Sequence, residues 1–167
     1  MGKNYKEFAE ARKSLENLLG GRIELDEQTG RWSFRRGNQK FTIGVTSEGV
    51  KKISILDTLL SNRFLDTNSI IFIDEPESAL HPSAVSQLLE IIALMATRGV
   101  QIFLASHSYF VVKKLYLLAQ ELNMRIPLLS DEDDAWIEHD LLNGIPDNSI
   151  MDESIRLYEE EVDRALS

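Results

Sequence analysis

Ile70-Ile71-Phe72-Ile73-Asp74-Glu75-Pro76 is the stretch from which the rest of the chain is read. Four large apolar side chains lead into two acids and a proline. The run does not alternate, so it predicts a strand buried on both faces, as in a parallel sheet. Asp74 and Glu75 then stand at the strand's carboxyl end, where open α/β sheets place their ligands. Adjacent carboxylates are costly to keep in such a place unless they bind something. Mg²⁺ with a nucleotide phosphate is the usual partner of such a pair. The plain alternative is a capped strand end with exposed acids.

Downstream, His81-Pro82 opens a helix with proline in its first turn. That helix carries Val85, Leu88, Leu89, Ile92 and Met95 and runs to Gly99. A second strand follows over Val100–Ala105. Strand, helix and strand at this spacing predict a right-handed βαβ unit with parallel strands. Ala105-Ser106-His107-Ser108 leaves the second strand, so His107 is expected at the same sheet edge as Glu75. An imidazole there can bridge a carboxylate and a phosphate oxygen. A structural histidine is the alternative.

Upstream, residues 3–19 predict an amphipathic helix with Phe8, Ala11, Leu15, Leu18 and Leu19 on one face, stopped by Gly20-Gly21. Strands are expected over Arg22–Asp26 and Arg31–Arg36 around a turn near Thr29-Gly30, with a third over Lys40–Val45. Thr46-Ser47-Glu48-Gly49 opens a helix from Val50 to Ser61, with Ser47 as N-cap. Serine and glycine at a helix N-terminus also make an anion site. Beyond the βαβ unit, a helix is expected over Tyr109–Asn123. Strands follow near Arg125–Leu129 and Ala135–Leu141, then a terminal helix over Asp152–Leu166.

The 167 residues suffice for one domain, with 43% hydrophobic and 27% charged residues. No apolar run approaches the roughly 20 residues of a membrane span. The N-terminal residues have no signal-peptide pattern and there is no cysteine. The expectation is a cytoplasmic protein without disulfides or thiolate metal sites. A net charge of −9 argues against a nucleic-acid clamp. Arg31, Arg35, Arg36 and Lys40 read as the solvated face of a hairpin, and Asp131–Asp134 as a solvated loop.

Taken in order, these motifs resemble the ABC-class ATPases of the P-loop NTPase fold. Thr46-Ser47-Glu48-Gly49-Val50 stands for the signature loop and Ile70–Glu75 for the Walker B strand. Glu77-Ser78-Ala79-Leu80-His81-Pro82 stands for the D-loop, and Ala105–Ser108 for the switch region. The DEPE-S-A-L-H-P form is closer to the RecF, SMC and OLD branch, and to the AAA-named ATPases of defence systems, than to transporters. Two residues depart from the family pattern: Glu48 replaces a frequent glycine, and Val50 a polar residue. No GxxxxGK(S/T) occurs in the 167 residues. The nearest spacing, Gly44 to Lys51, puts Val50 in the lysine position.

The resemblance implies an α/β fold: a partial P-loop NTPase with a parallel βαβ core, an N-terminal helix and small antiparallel strands. It implies a single ABC-ATPase-like domain fragment. Residues 1–68 would hold the helix, the hairpin and the signature region, and residues 69–167 the Walker B and switch-histidine lobe. The chain would be the C-terminal half of an ATPase head, inactive alone. Asp74 would serve Mg²⁺ through water, Glu75 would be the general base and His107 would sense the γ-phosphate of ATP. Ser47 and Gly49 would touch the nucleotide of an opposing head, with Ser78 and Leu80 at the dimer seam. The expected partners are a Walker A-bearing segment or a second head, together with self-association through the free edge of Val100–Ala105. Nucleic acid would concern the complete system only. Two other classes stay open. One is a non-catalytic module regulating an intact ATPase. The other is a metal-dependent phosphohydrolase using Asp74, Glu75, His107 and His81.

Overall fold

The structure, a computed structural model, describes residues 8–26, 30–62, 64–132, 135–147 and 149–166. The chain divides into two compact units, one up to Ala105 and one from Ser106 onward. The expected start of the first helix, the turn residue Thr29 and the acids Asp133-Asp134 lie outside the described residues.

The first unit begins with helix α1 (Ala9–Leu19), which buries Ala11, Leu15 and Leu19. It ends at Gly20, whose φ of +61° lets the chain leave the helix in the left-handed region. Strands β1 (Arg22–Asp26) and β2 (Arg31–Arg36) pair antiparallel with the expected limits. β3 (Gln39–Thr42) pairs with β2. It stops short of the expected Val45, because Ile43–Val45 turns into a 3₁₀ helix closed by Thr46 donating to Ile43 O. One face of this sheet gathers Arg22, Arg31, Arg35 and Lys40. Glu24 accepts from both Arg22 and Arg35, and Lys40 pairs with Asp26. The face is a solvated ion-pair lattice.

Helix α2 (Glu48–Ser61) starts two residues earlier than expected, at the capping residue Ser47. Ser47 Oγ accepts from Val50 N at 3.3 Å. Ile53, Leu56 and Leu60 are buried. Strand β4 (Ile70–Asp74), helix α3 (Pro82–Ala96) and strand β5 (Gln101–Ala105) make the expected parallel βαβ unit, in register from Ile70 against Gln101 to Asp74 against Ala105. α1 packs on both α2 and α3. Leu15, Leu89 and Met95 are fully buried on these two helices, α1 and α3.

β4 corrects one expectation. It is not buried on both faces: Ile71 and Ile73 are half-buried, whereas Ile70 is 56% and Phe72 77% exposed. Phe103 of β5 is 46% exposed and stacks on Phe72 at 4.9 Å. A run without alternation reports a strand suited to two covered faces. It does not report whether a second layer is there to cover them.

Asp57 is the buried charge of this unit. It is 4% exposed on α2, and its Oδ1 has no hydrogen-bond partner among the described residues. Burial raises its pKa from the ordinary 3.8, against the pull of Arg12 and with a further push from Glu16, both on α1. The folded state therefore holds the proton more tightly than the unfolded state. Its contribution to stability is full below the unfolded pKa and is lost as pH rises through the folded one. Asp57→Asn, which cannot ionise, should raise the melting temperature at pH 7 by a few degrees. The gain should shrink toward pH 4. Melting curves across that range check this, and a gain independent of pH would contradict it.

In the second unit, α4 (Tyr109–Leu122) ends at Asn123, at a φ of +46°. β6 (Pro127–Glu132) and β7 (Ala135–Asp140) form a hairpin. Asp131 and Glu132, expected in a loop, are therefore in a strand, paired with Trp136 and Ala135. Cross-strand pairing overrides the poor strand propensity of acids. Val112, Ala119 and Leu141 are buried together, with Tyr116 and Leu128 packed against them. Gln120 Nε2 donates to Leu142 O at 2.7 Å. α5 (Ser149–Leu166) closes the chain and touches α4.

Candidate functional site

Asp74 is the last residue of β4, and the backbone continues to pair one step beyond it, with Glu75 N donating to Ala105 O at 2.8 Å. Glu75 then turns at a φ of +44°, and Ala79 does the same at +61°. Two non-glycine residues in the left-handed region within one short loop are uncommon, and each costs free energy that neighbouring contacts must offset. Those contacts are present. Pro76 is fully buried. Glu75 O accepts from Ser78 N at 3.0 Å and from Lys52 Nζ at 2.8 Å. The loop thus lifts the Asp74 and Glu75 carboxylates to an exposed edge on a fixed backbone.

The N-terminus of α2 is pressed onto the same loop. Gly49 is buried, and a Cβ placed on it would lie 2.5 Å from Leu80 Cδ2 and 2.6 Å from Ala79 O. Only glycine permits that approach. Ser47 is exposed beside it. Glu48 is turned to Lys51, with Oε1 2.6 Å from Nζ. Its charge is therefore directed along the helix and partly balanced.

The structure thus brings Ser47, Gly49, Asp74, Glu75, Ser78 and Leu80 into one neighbourhood of the first unit. Lys52 belongs to it as well. The sequence offered no signal for Lys52 beyond its place five residues after Ser47. His81 serves as the N-cap of α3, its ring accepting from Ser83 N at 3.2 Å. His107 belongs to the second unit. It is exposed in the segment before α4, where Ser106 Oγ accepts from Ser108 N at 3.0 Å.

The residues present suit a hydrated divalent cation. Mg²⁺ takes one or two carboxylates and completes its shell with water and phosphate oxygens. Asp74 and Glu75, exposed and adjacent, offer that donor set. A serine hydroxyl and a glycine at a helix N-terminus suit a phosphate.

Comparison with known proteins bears on the same region. The family described as "AAA domain, putative AbiEii toxin, Type IV TA system" matches residues 2–113. The Old nuclease of Escherichia phage P2 is 43% identical over 42 residues, which make up 25% of this chain and 7% of the nuclease. The match thus takes in a small part of that curated relative. Among solved structures, a chain from work on ATP-driven dimerization and DNA-stimulated activation of SMC ATPases is similar at a TM-score of 0.51 and 13% identity. It covers 93% of this chain and 96% of that one. An Smc head bound to the C-terminal winged-helix domain of ScpA is similar at 0.55 and 16% identity, covering 82% of this chain and 41% of that one. An Smc head with an extended coiled coil, bound to the C-terminal domain of ScpA and derived from Pyrococcus furiosus, gives 0.52 and 12%, over 92% and 38%. At these identities the likeness is one of fold. The fold is α/β, that of a partial P-loop NTPase. No helix among the described residues is long and apolar enough to cross a membrane.

Proposed function

This chain belongs to the AAA domain family described as the putative AbiEii toxin of a type IV toxin–antitoxin system, and from that membership we propose that it is the part of an ABC-class ATPase head carrying the signature loop, the Walker B acids and the switch histidine. The observation that carries the reading is the joint between α2 and the loop after β4. Gly49 and Lys52 lock the N-terminus of α2 onto Glu75–Leu80. A phosphate-facing helix end and a pair of metal-facing acids therefore act as one rigid part.

Bound Mg·ATP would supply the electrophilic γ-phosphate and the charge to be neutralised. Asp74 would hold the metal through its waters. Glu75, at an exposed edge with its backbone fixed, would take the proton of the attacking water. His107 would contact the γ-phosphate. The Ser47 hydroxyl and the Gly49 backbone would receive the phosphate of a nucleotide held by an opposing head. Ser78 and Leu80 would lie along the seam between heads.

The exposed apolar face of β4 and β5 supports an incomplete head. Parallel sheets are ordinarily covered on both faces, and free apolar edges invite pairing. A segment with a strand, GxxxxGK(S/T) and a helix would complete the site, and without it the chain would self-associate. Purified alone, the chain is expected to show no meaningful Mg·ATP turnover and to associate in ultracentrifugation. Co-expression with a segment bearing GxxxxGK(S/T) should confer turnover. Turnover by the chain alone, abolished by Glu75→Gln, would overturn the need for that segment. Tight binding to an intact head with no gain of turnover would favour a regulatory module. Cleavage of simple phosphoesters by the chain with Mn²⁺ alone would favour a phosphohydrolase.

A further inference from the structure

The second unit ends in a helix whose apolar side is mostly open. In α5, Met151, Ile155, Tyr158, Val162 and Ala165 follow the alternating four- and three-residue spacing of a coiled-coil seam. No residue of α5 is buried. Met151 and Val162 are half-buried, whereas Ile155 is 47%, Tyr158 66% and the nearby Leu166 83% exposed. A soluble helix with a continuous apolar stripe ordinarily covers it against another element.

Charge says what kind of element. At 100° per residue, Asp152 and Glu159 border the stripe on one side and Glu161 on the other. All three are exposed, and none pairs with a cation among the described residues. The helix's own arginines are engaged on the far side. Arg156 binds Glu153 at 2.7 Å and Glu160 at 3.3 Å, and Arg164 binds Glu160. The stripe therefore runs between acidic margins that nothing on the helix neutralises. A second copy of α5 would set equally acidic margins beside these, and an antiparallel one would bring the same acids against each other, which disfavours self-pairing.

We propose that α5 is a docking strip for an amphipathic helix of another protein, one whose apolar stripe is bordered by lysine or arginine. The apolar contacts would supply affinity and the margins would select the partner. This does not depend on the ATPase reading of the first unit.

The test uses the full chain and two designed helical peptides of about three heptads. They share one Leu/Ile seam and differ in carrying Lys or Glu at every flanking position. Fluorescence anisotropy of labelled peptide is expected to show binding of the Lys peptide and not of the Glu peptide. Replacing Asp152, Glu159 and Glu161 together by Lys should weaken the Lys peptide at least about tenfold and admit the Glu peptide. Tyr158→Asp should weaken the Lys peptide as well, because the seam itself is interrupted. These positions are exposed, and far-UV circular dichroism verifies that the variants keep their helix. Equal affinity of the native chain for both peptides would overturn the proposal. So would Lys-peptide binding that survives the triple replacement, which would mean general attraction to an acidic protein. A concentration-dependent dimer that Tyr158→Asp abolishes would assign the strip to a second copy instead.

Discussion

Glu75→Gln, introduced into a head completed by a GxxxxGK(S/T) segment, is expected to lower ATP turnover about 10²- to 10⁴-fold, the usual contribution of a general base. The amide has nearly the shape of the carboxylate but cannot accept the proton of an attacking water. The substitution is informative because the fold does not rest on this side chain. The three hydrogen bonds that fix residue 75 use its backbone: N to Ala105 O, and O from Lys52 Nζ and Ser78 N. The loop should therefore keep its course. Turnover and binding of Mg·ATP are to be measured on the same preparation. Lost turnover with retained binding supports Glu75 as the base. Unchanged turnover would remove it from that role.

Gly49→Ala is expected to destabilise the first unit by about 1–3 kcal/mol, the usual cost of overpacking. Alanine is ordinarily the better helix former by roughly 0.5–1 kcal/mol, so a loss requires steric conflict. The added Cβ would stand 2.5 Å from Leu80 Cδ2 and 2.6 Å from Ala79 O. The leucine can swing away. The carbonyl cannot, because Ala79 is held at a φ of +61° in a loop pinned at Glu75. Gly44→Ala is the control, since a Cβ there meets nothing within 4 Å. Urea unfolding of both variants separates the cases. A Gly49 variant as stable as the Gly44 variant would mean that α2 and the loop are not in close contact.

Much of the element plan was legible in the chain because it is local. Arg22–Asp26 and Arg31–Arg36 are strands with the limits that β propensity and a turn signal indicate. Ser47 caps α2 and His81 caps α3 through side-chain contacts spanning two or three residues. Two of the errors share one cause. Ile70–Ile73 has the composition of a strand covered twice, but coverage depends on what lies across the sheet. Asp131 and Glu132 have the composition of a loop, yet the partner strand Ala135–Asp140 holds them in a ladder. In each case another segment decides.

The candidate site divides the same way. The chemistry of Asp74, Glu75, Ser47 and Gly49 could be read from residue types and their order, since a carboxylate or a glycine carries its capacity wherever it stands. Their convergence could not. Lys52 reaching Glu75 O, and Gly49 seated on Ala79, join segments more than twenty residues apart. That joint exists because α1 packs on both α2 and α3 and so fixes α2 beside the βαβ unit. The Ile70–Pro76 sequence by itself determined a strand ending in two acids. Only tertiary packing decided that one face of that strand stays open and that the acids stand on a backbone clamped by α2, because burial and clamping are properties of surfaces meeting across the chain.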